Sequence, residues 1–318
     1  MSGAEQRAGV ALTNLDQPLS PVSNATKRDL VDYLDAVADR MLPGLAYRPL
    51  TVMRVLRGQA PFMQKNAPKY TPDWVKTVSI WAEASRREVH YPLCNDRRTL
   101  LWLANQRAVE YHPSLGLADN MYRPTHLVLD LDPPGDNAFR AVVAVAKLVR
   151  QALADNGLSG AVKTSGAKGL HIFVPVDDSA PGDDVAAATR ALAAQAEALD
   201  PAIATTAFIV EDREGKVFVD STRAGGATIV AAYSPRLRAG TPVSFPVDWA
   251  NLDAVTPADF TLHTAVDALC GRDPWAHAMP APQRLPRDLI EFGRTIPVAR
   301  VAAMHEGKRR ARAARRSP

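Results

Sequence analysis

Between residues 28 and 42 the apolar side chains Leu30, Val31, Leu34, Val37, Ala38 and Met41 recur at three- and four-residue intervals. That spacing predicts an amphipathic helix, and Pro43-Gly44 predicts its end. Residues 50–81 mix short apolar runs with proline, glycine and basic residues, and read as loops and short strands. Residues 99–110 read as a second helix. From His126 to Asp132 an apolar run leads into the turn Pro133-Pro134-Gly135, the pattern of a buried strand. A helix is expected over 138–154, closed by Asn156-Gly157. Strands are expected over 170–176, 216–220 and 228–232, and an Ala-rich helix over 184–198. After residue 240 proline becomes frequent, the pattern weakens, and the chain is expected to wrap the core. The order strand, helix, strand, helix, strand, strand predicts a mixed α/β (α+β) fold. Residues 1–300 are expected to form one unit of two interlocked lobes around mixed β-sheets, and residues 301–318 a basic, disordered tail.

With 318 residues, 47% of them apolar and 23% charged, the chain has room for one large or two modest domains. Two cysteines, Cys94 and Cys270, make neither a disulfide framework nor a four-thiolate zinc site. A reducing compartment is the simpler expectation. No apolar run is long enough to span a membrane, and the N-terminal residues lack a secretory pattern. The net charge of +4 is concentrated at the end of the chain, where Lys308, Arg309, Arg310, Arg312, Arg315 and Arg316 face only Glu306. Such a tail either grips phosphate backbones through counterion release or is a solvated, disordered end.

Three groups of residues carry candidate chemistry. Asp130 and Asp132 alternate on one strand, so both carboxylates project from the same face. Two like charges so placed repel unless a cation joins them, and hard oxygen ligands suit Mg²⁺ or Mn²⁺. The bland alternative is a pair of ordinary acids at a strand exit. The second group is Lys163-Thr-Ser165-Gly166-Ala-Lys168-Gly169-Leu-His171. Its glycines let backbone N–H groups approach an oxyanion, and its serine, lysines and histidine add donors. It is not a Walker loop, because a strand comes next where a helix would be needed. A Gly-rich hairpin turn is the alternative. The third is Asp220, which ends the apolar run Val217-Phe218-Val219 and is either a third metal ligand or a turn residue.

Taken in order, these segments resemble the archaeo-eukaryotic primase superfamily, in particular the polymerase domain of bacterial end-joining DNA ligases and its stand-alone relatives. The matching stretches include Leu12-Thr-Asn14, Thr26-Lys27-Arg-Asp29, Pro61-Phe-Met-Gln-Lys-Asn66, Glu110-Tyr-His112, Leu129-Asp-Leu-Asp-Pro133, Thr164-Ser-Gly-Ala-Lys-Gly-Leu-His171, Gly215-Lys-Val-Phe-Val-Asp220 and Ala232-Tyr-Ser234. The resemblance implies a primase-like catalytic core and a template-directed nucleotidyltransferase using two divalent ions, Mn²⁺ or Mg²⁺. It implies Asp130, Asp132 and Asp220 as catalytic metal ligands. Contacts to the nucleoside triphosphate are expected from Ser165, Gly166, Lys168, Gly169, His171, Arg213, Arg236, His112 and Arg54. Contacts to DNA are expected from Lys27, Phe62, Met63 and Lys65, with Phe62 stacking on a template base and Lys27 at the 5′-phosphate of a gap. Gapped, primer-template or broken DNA is the implied partner, beside a separate ligase and end-binding repair proteins. Ribonucleotides are the favoured substrates of such relatives. A monomer in the bacterial cytoplasm, associated with the nucleoid, is expected.

The chain departs from the family pattern at named positions. Gln17 stands where a second 5′-phosphate lysine is expected, and Met53 where a lysine is frequent. Met63 replaces the second of two aromatics. After Asp220, the family's Trp-Ser-Gln-Asn reads Ser221-Thr222-Arg223-Ala224. Two other classes compete. One is a metal-dependent phosphatase with Asp130 as nucleophile and Asp132 as acid, although Pro133-Pro134 stand where small residues or threonine are usual. The other is a non-catalytic DNA end-bridging protein, for which three retained acids have no chemical need.

Overall fold

The strand that carries Asp130 and Asp132 has one apolar face and one polar face, and that division organises the fold around it. The computed structural model describes residues 5–82, 86–224 and 228–298; the basic tail expected over 301–318 lies outside them. By internal contacts the chain divides into two compact units, each assembled from separate stretches. The first comprises residues 1–123, 161–167 and 228–279, the second residues 124–160, 168–227 and 280–318.

The first unit opens with β1 (Gln6–Arg7), β2 (Val10–Ala11) and helix α1 (Lys27–Leu45). Thr26 caps α1, accepting from the Asp29 N–H while the Asp29 carboxylate accepts from the Thr26 N–H at 2.7 Å. The six apolar positions read from the sequence are buried on this helix. Contrary to expectation α1 does not stop at Pro43 but runs to Leu45. A proline in the last turn removes one N–H, and the turn is still closed by Ala46 N–H on the Leu42 carbonyl at 2.8 Å. Strands β3 (Leu50–Arg54), β4 (Phe62–Gln64), β5 (Thr77–Ala82) and β6 (Arg87–Pro92) come next, then helix α2 (Arg97–Asn105).

The helix expected over 99–110 is only half right. Asp96 caps α2, which ends at Asn105, and β7 (Ala108–Pro113) begins three residues later. Arg107 adopts φ +62°, a left-handed conformation that no helix continues through. The residues beyond it pair with β3, Val52 opposite Tyr111, and this pairing overrides their helical spacing. Two short strands, β8 (Gly116–Leu117) and β9 (Asn120–Pro124), complete the hairpins.

The second unit is built on β10 (His126–Asp132). β12 (Leu170–Pro175) lies antiparallel on one side of it and β14 (Val217–Asp220) antiparallel on the other. β13 (Ala204–Thr205) runs parallel to β14 at the edge. The intervening β11 (Ala161–Thr164) belongs to the first unit, where it pairs with β15 (Pro246–Val247). Register places Leu127, Leu129 and Leu131 beside Val174, Ile172 and Leu170, with Val219 opposite Leu131. All of these are buried, so one face of the sheet is wholly apolar. Helices α3 (Phe139–Asp155) and α4 (Gly182–Leu199) pack on this sheet with valine- and alanine-rich buried stripes. The apolar face is where such stripes leave water. The polar face then carries Asp130, Asp132, His171, Phe218 and Asp220.

The expected strand over 228–232 does not form. Thr228 makes an isolated bridge to Ser114, and Ile229 and Ala231 donate to the carbonyls of Pro113 and Tyr111. Tyr233 at φ +67° turns the chain away before a ladder can grow. Beyond residue 240 lie two short helices, α5 (Ala265–Ala268) and α6 (Pro274–Ala278), in the first unit. In the second, α7 (Arg287–Thr295) packs on α4. Neither β11 nor α7 is legible in the sequence pattern. Among the described residues no helix is long and apolar enough to cross a membrane, and both cysteines are free thiols.

The approach of β12 to β10 depends on Gly169, where an added Cβ would lie 2.0 Å from the Leu131 carbonyl oxygen. Both atoms belong to backbone, so neither can swing aside. Gly169→Ala is expected to destabilise the protein by about 1–3 kcal/mol, read by urea denaturation; an unchanged midpoint would contradict the close approach.

Candidate active site

Antiparallel pairing sets Asp130 directly opposite His171 on one side and Asp220 on the other. Directly opposed residues share a face, so His171, Asp130 and Asp220 form a row across three strands, and Asp132 lies one pleat further along β10. Asp130, His171 and Asp220 are buried and Asp132 is half-buried. His171 Nε2 lies 3.2 Å from Asp130 Oδ1. Arg223, in the single 3-10 turn just after β14, donates to Asp130 Oδ2 at 2.8 Å and lies 3.2 Å from Asp220 Oδ2. Both oxygens of Asp130 are therefore held. Burial pushes the Asp130 carboxyl up, but His171 and Arg223 outweigh it and keep it below the ordinary carboxylate range. Among the described residues Asp132 has no such partner. Burial, then the charges of Asp130 and Asp220, raise it to about 6 against the opposing pull of Arg223 and Arg213.

The same unit holds two more expected residues. Arg213 lies over the Phe218 ring at 3.9 Å and donates to the carbonyls of Ala207 and Phe208 at 3.2 Å. Phe218 is opposite Asp132, which is why the Arg213 charge reaches that carboxylate. Lys168 is exposed and paired with Asp136. Three hard carboxylates, with more negative charge than Arg223 and His171 match, are the donor set a divalent cation of the Mg²⁺ or Mn²⁺ class takes. Among the described residues no three such side chains close into a ready-made cage. The acids Asp130 and Asp220 instead share the Arg223 guanidinium.

The other expected nucleotide-binding residues lie in the first unit. Here Glu110 organises the cluster. Its carboxylate is buried, 2.9 Å from His112 Nε2, 3.0 Å from Arg236 Nε, and accepts the Leu237 N–H at 2.9 Å. Burial alone would raise Glu110; the His112 hydrogen bond and the Arg236 charge bring it down to about 2. Arg236 also donates to the Ser165 carbonyl at 2.7 Å. Gly166 has φ +66°, and a Cβ there would meet Arg236 Cγ at 2.7 Å and Ser244 N at 2.8 Å. That glycine thus permits both the turn and the approach of Arg236. Ser165 Oγ accepts the Ala167 N–H. Lys163, one of the charges of this loop, is instead fully buried on Ser244 Oγ at 2.6 Å.

Arg54 is buried, donating to the Gln106 carbonyl at 2.8 Å, to Gln64 at 2.7 Å and to the Tyr70 hydroxyl at 3.0 Å. It faces Phe62 across the β3–β4 pair. Phe62 is half-buried, whereas Met63 and Lys65 are exposed. Lys27 begins α1 with Nζ on the Thr13 carbonyl at 2.5 Å. Burial, and then Arg107, lower its pKa to about 8. Gln17 and Arg107 line a cleft of about 800 Å³ together with Leu19, Val55 and Arg57. Two residues gain their importance only in three dimensions. Glu110 is not among the site residues expected from sequence, although it stands two positions before His112 on a strand and therefore on the same face. Arg223 marks only a departure from the family pattern there, although three residues after Asp220 is within reach of it.

A sheet that ends in carboxylates, with a glycine-bent basic loop leading into one of its strands, is the scaffold of a phosphoryl-handling enzyme. The LigD primase-polymerase domain family matches residues 26–275, and the chain belongs to that family, a metal-dependent, nucleotidyltransferase-type group. It is 37% identical over 265 residues to the multifunctional non-homologous end joining protein LigD of Mycobacterium bovis, covering 79% of this chain and 34% of that protein. It is 32% identical over 262 residues to the bifunctional non-homologous end joining protein LigD of Bacillus subtilis, covering 81% of this chain and 42% of that one. The chain thus spans between a third and a half of these relatives. The polymerase domain of Mycobacterium tuberculosis ligase D, solved in complex with DNA, superposes with a TM-score of 0.75 at 31% identity, over 87% of this chain and all of that one.

Glu110 gives a pH test. Its carboxyl is depressed in the folded state, so its stabilising effect is full above the ordinary value of 4.5 and is lost as pH falls toward 2. Glu110→Gln is expected to cost on the order of 3 kcal/mol near pH 6, the gap to the parent narrowing through that window in urea titrations. A gap independent of pH would contradict the ion-pair assignment.

Proposed function

We propose that the chain is a DNA-repair polymerase that adds nucleotides to a primer 3′ end at short gaps or broken ends, copying a template and releasing pyrophosphate. The buried row His171–Asp130–Asp220, with Asp132 beside it, is the observation that carries this reading. Asp130, Asp132 and Asp220 would hold two divalent ions. When bound, these supply charge neutralisation for the 3′-oxygen and for the leaving pyrophosphate. His171 keeps Asp130 ionised and fixed in place. Lys168 and Arg213 supply positive charge for the triphosphate, as do Arg236 and the hydroxyl and backbone N–H groups of Ser165 and Gly166. Glu110 orients Arg236 and His112 for that role.

Phe62 and Met63 offer an apolar platform for a template base, with Lys65 and Arg54 beside them in sequence or register. Lys27 receives the 5′-phosphate of a gap, with Gln17 contributing no charge. Ribonucleotides are the preferred substrates, and the ions are Mn²⁺ or Mg²⁺. The basic tail adds sequence-independent hold on DNA. The reaction takes place on the bacterial nucleoid, and sealing is the work of a ligase activity.

The phosphatase alternative would make Asp130 the nucleophile and Asp132 the acid; the primase-polymerase family match over residues 26–275 favours the polymerase reading. Primer extension with Mn²⁺ or Mg²⁺, each nucleotide type and a gapped template tests the proposal. The parent is expected to extend the primer, and Asp130→Ala combined with Asp132→Ala to lose at least about a hundredfold in rate. Extension that survives the double substitution would overturn it, as would phosphomonoester hydrolysis without polymerisation or gap binding without extension.

A further inference from the structure

The arginines named for the reaction and the one beside its acids are held in different ways. Arg213 is tied to two backbone carbonyls and a phenyl ring, and Arg54 to a carbonyl, an amide and a phenol. Among the described residues Arg223 has no such anchor. Its hydrogen-bond and ion-pair partners among the described residues are Asp130 and Asp220, both reached through Nη2. Its Nε is buried without a hydrogen-bond partner, while its side chain as a whole is 31% exposed. It stands on a three-residue 3-10 turn, Thr222–Ala224, not within a strand. The guanidinium is therefore held in place by the charge of the two acids, and its side chain remains partly exposed.

A divalent ion that took Asp130 Oδ2 and Asp220 Oδ2 would compete with Nη2 for the same two oxygens. Two positive charges on the same pair of oxygens also repel, and at a partly buried position that repulsion is weakly screened. Arginine and ion would therefore weaken each other's hold on the pair.

We infer that Arg223 is a tethered competitor of the divalent ion: its guanidinium draws on the Asp130–Asp220 oxygens that a cation would use, and would have to loosen its hold for the cation to load. This rests on the reading of those acids as cation ligands. It makes Arg223 a positioning residue that stabilises the unloaded cluster and sets a threshold concentration for loading.

The test is Mn²⁺ binding to the whole chain without DNA or nucleotide, monitored by the paramagnetic signal of free Mn²⁺. Arg223→Gln is expected to bind Mn²⁺ roughly tenfold or more tightly than the parent, the scale on which one neighbouring charge alters affinity at such a site. Arg223→Lys, which keeps the charge, is expected to stay within about threefold of the parent. Without metal, Arg223→Gln is expected to melt lower than the parent, and Mn²⁺ to raise its melting temperature by more. Unchanged or weaker Mn²⁺ binding by Arg223→Gln would overturn the inference. A measurement free of substitutions guards against a misfolded variant. The Nε–Hε resonance of Arg223 in the parent is expected to move on Mg²⁺ titration with the midpoint of ion binding, and a resonance unmoved at saturation would also overturn the inference. The underlying reading fails separately. If Mn²⁺ binding survives Asp130→Asn with Asp220→Asn, the acids are not the ligands; if it requires them but ignores Arg223, only the competition is wrong.

Discussion

Three carboxylates crowd the end of one buried sheet, and their mutual repulsion is the constraint to which the surrounding structure answers. An ionised acid taken out of water is costly unless it is paired. Asp130 meets this by giving one oxygen to His171 and the other to Arg223. Asp220 shares the same arginine. Asp132 is left to the more distant charges of Arg223 and Arg213 and holds its proton to about pH 6. The cluster is only partly balanced, and Asp132 carries the unmatched share.

The rest of the second unit keeps this cluster in register. A slip of one residue in any of the three central strands would turn the acids into the apolar layer and a leucine or valine out of it. The apolar layer under α3 and α4 therefore fixes the polar row above it. Gly169 lets β12 approach where its register partner to Asp130 is His171. In the first unit Glu110 does for Arg236 and His112 what Arg223 and His171 do for Asp130: a buried charge is satisfied by groups that the proposed reaction also uses. In both places the residues that stabilise the fold and those proposed to hold substrate or cation are the same or adjacent.

Much of this is legible along the chain. The strand at 126–132 can be read to the residue, because an apolar run bounded by a double proline leaves little freedom, and strand alternation places Asp130 and Asp132 together. The helices at 139–155 and 182–199 emerge from their spacing within a residue or two. The features that escape depend on partners far away in sequence. Residues 106–110 continue a helical pattern, but Arg107 turns left-handed and β3 captures the residues after it. Residues 228–232 look like a strand, yet Tyr233 ends the pairing before it grows. Glu110 draws its importance from Arg236, over a hundred positions on, and Arg223 from Asp130, over ninety positions back. No local pattern announces such pairs. Lys163 illustrates the opposite error, a lysine in a basic loop that is fully buried on Ser244.

The most direct test is anomalous diffraction from crystals of the chain soaked in Mn²⁺ with a nucleoside triphosphate. If the acids are the cation ligands, manganese peaks are expected about 2.1 Å from carboxylate oxygens of Asp130, Asp132 and Asp220. Manganese bound elsewhere, with Asp130 still gripped by His171 and Arg223 at saturating metal, would contradict it.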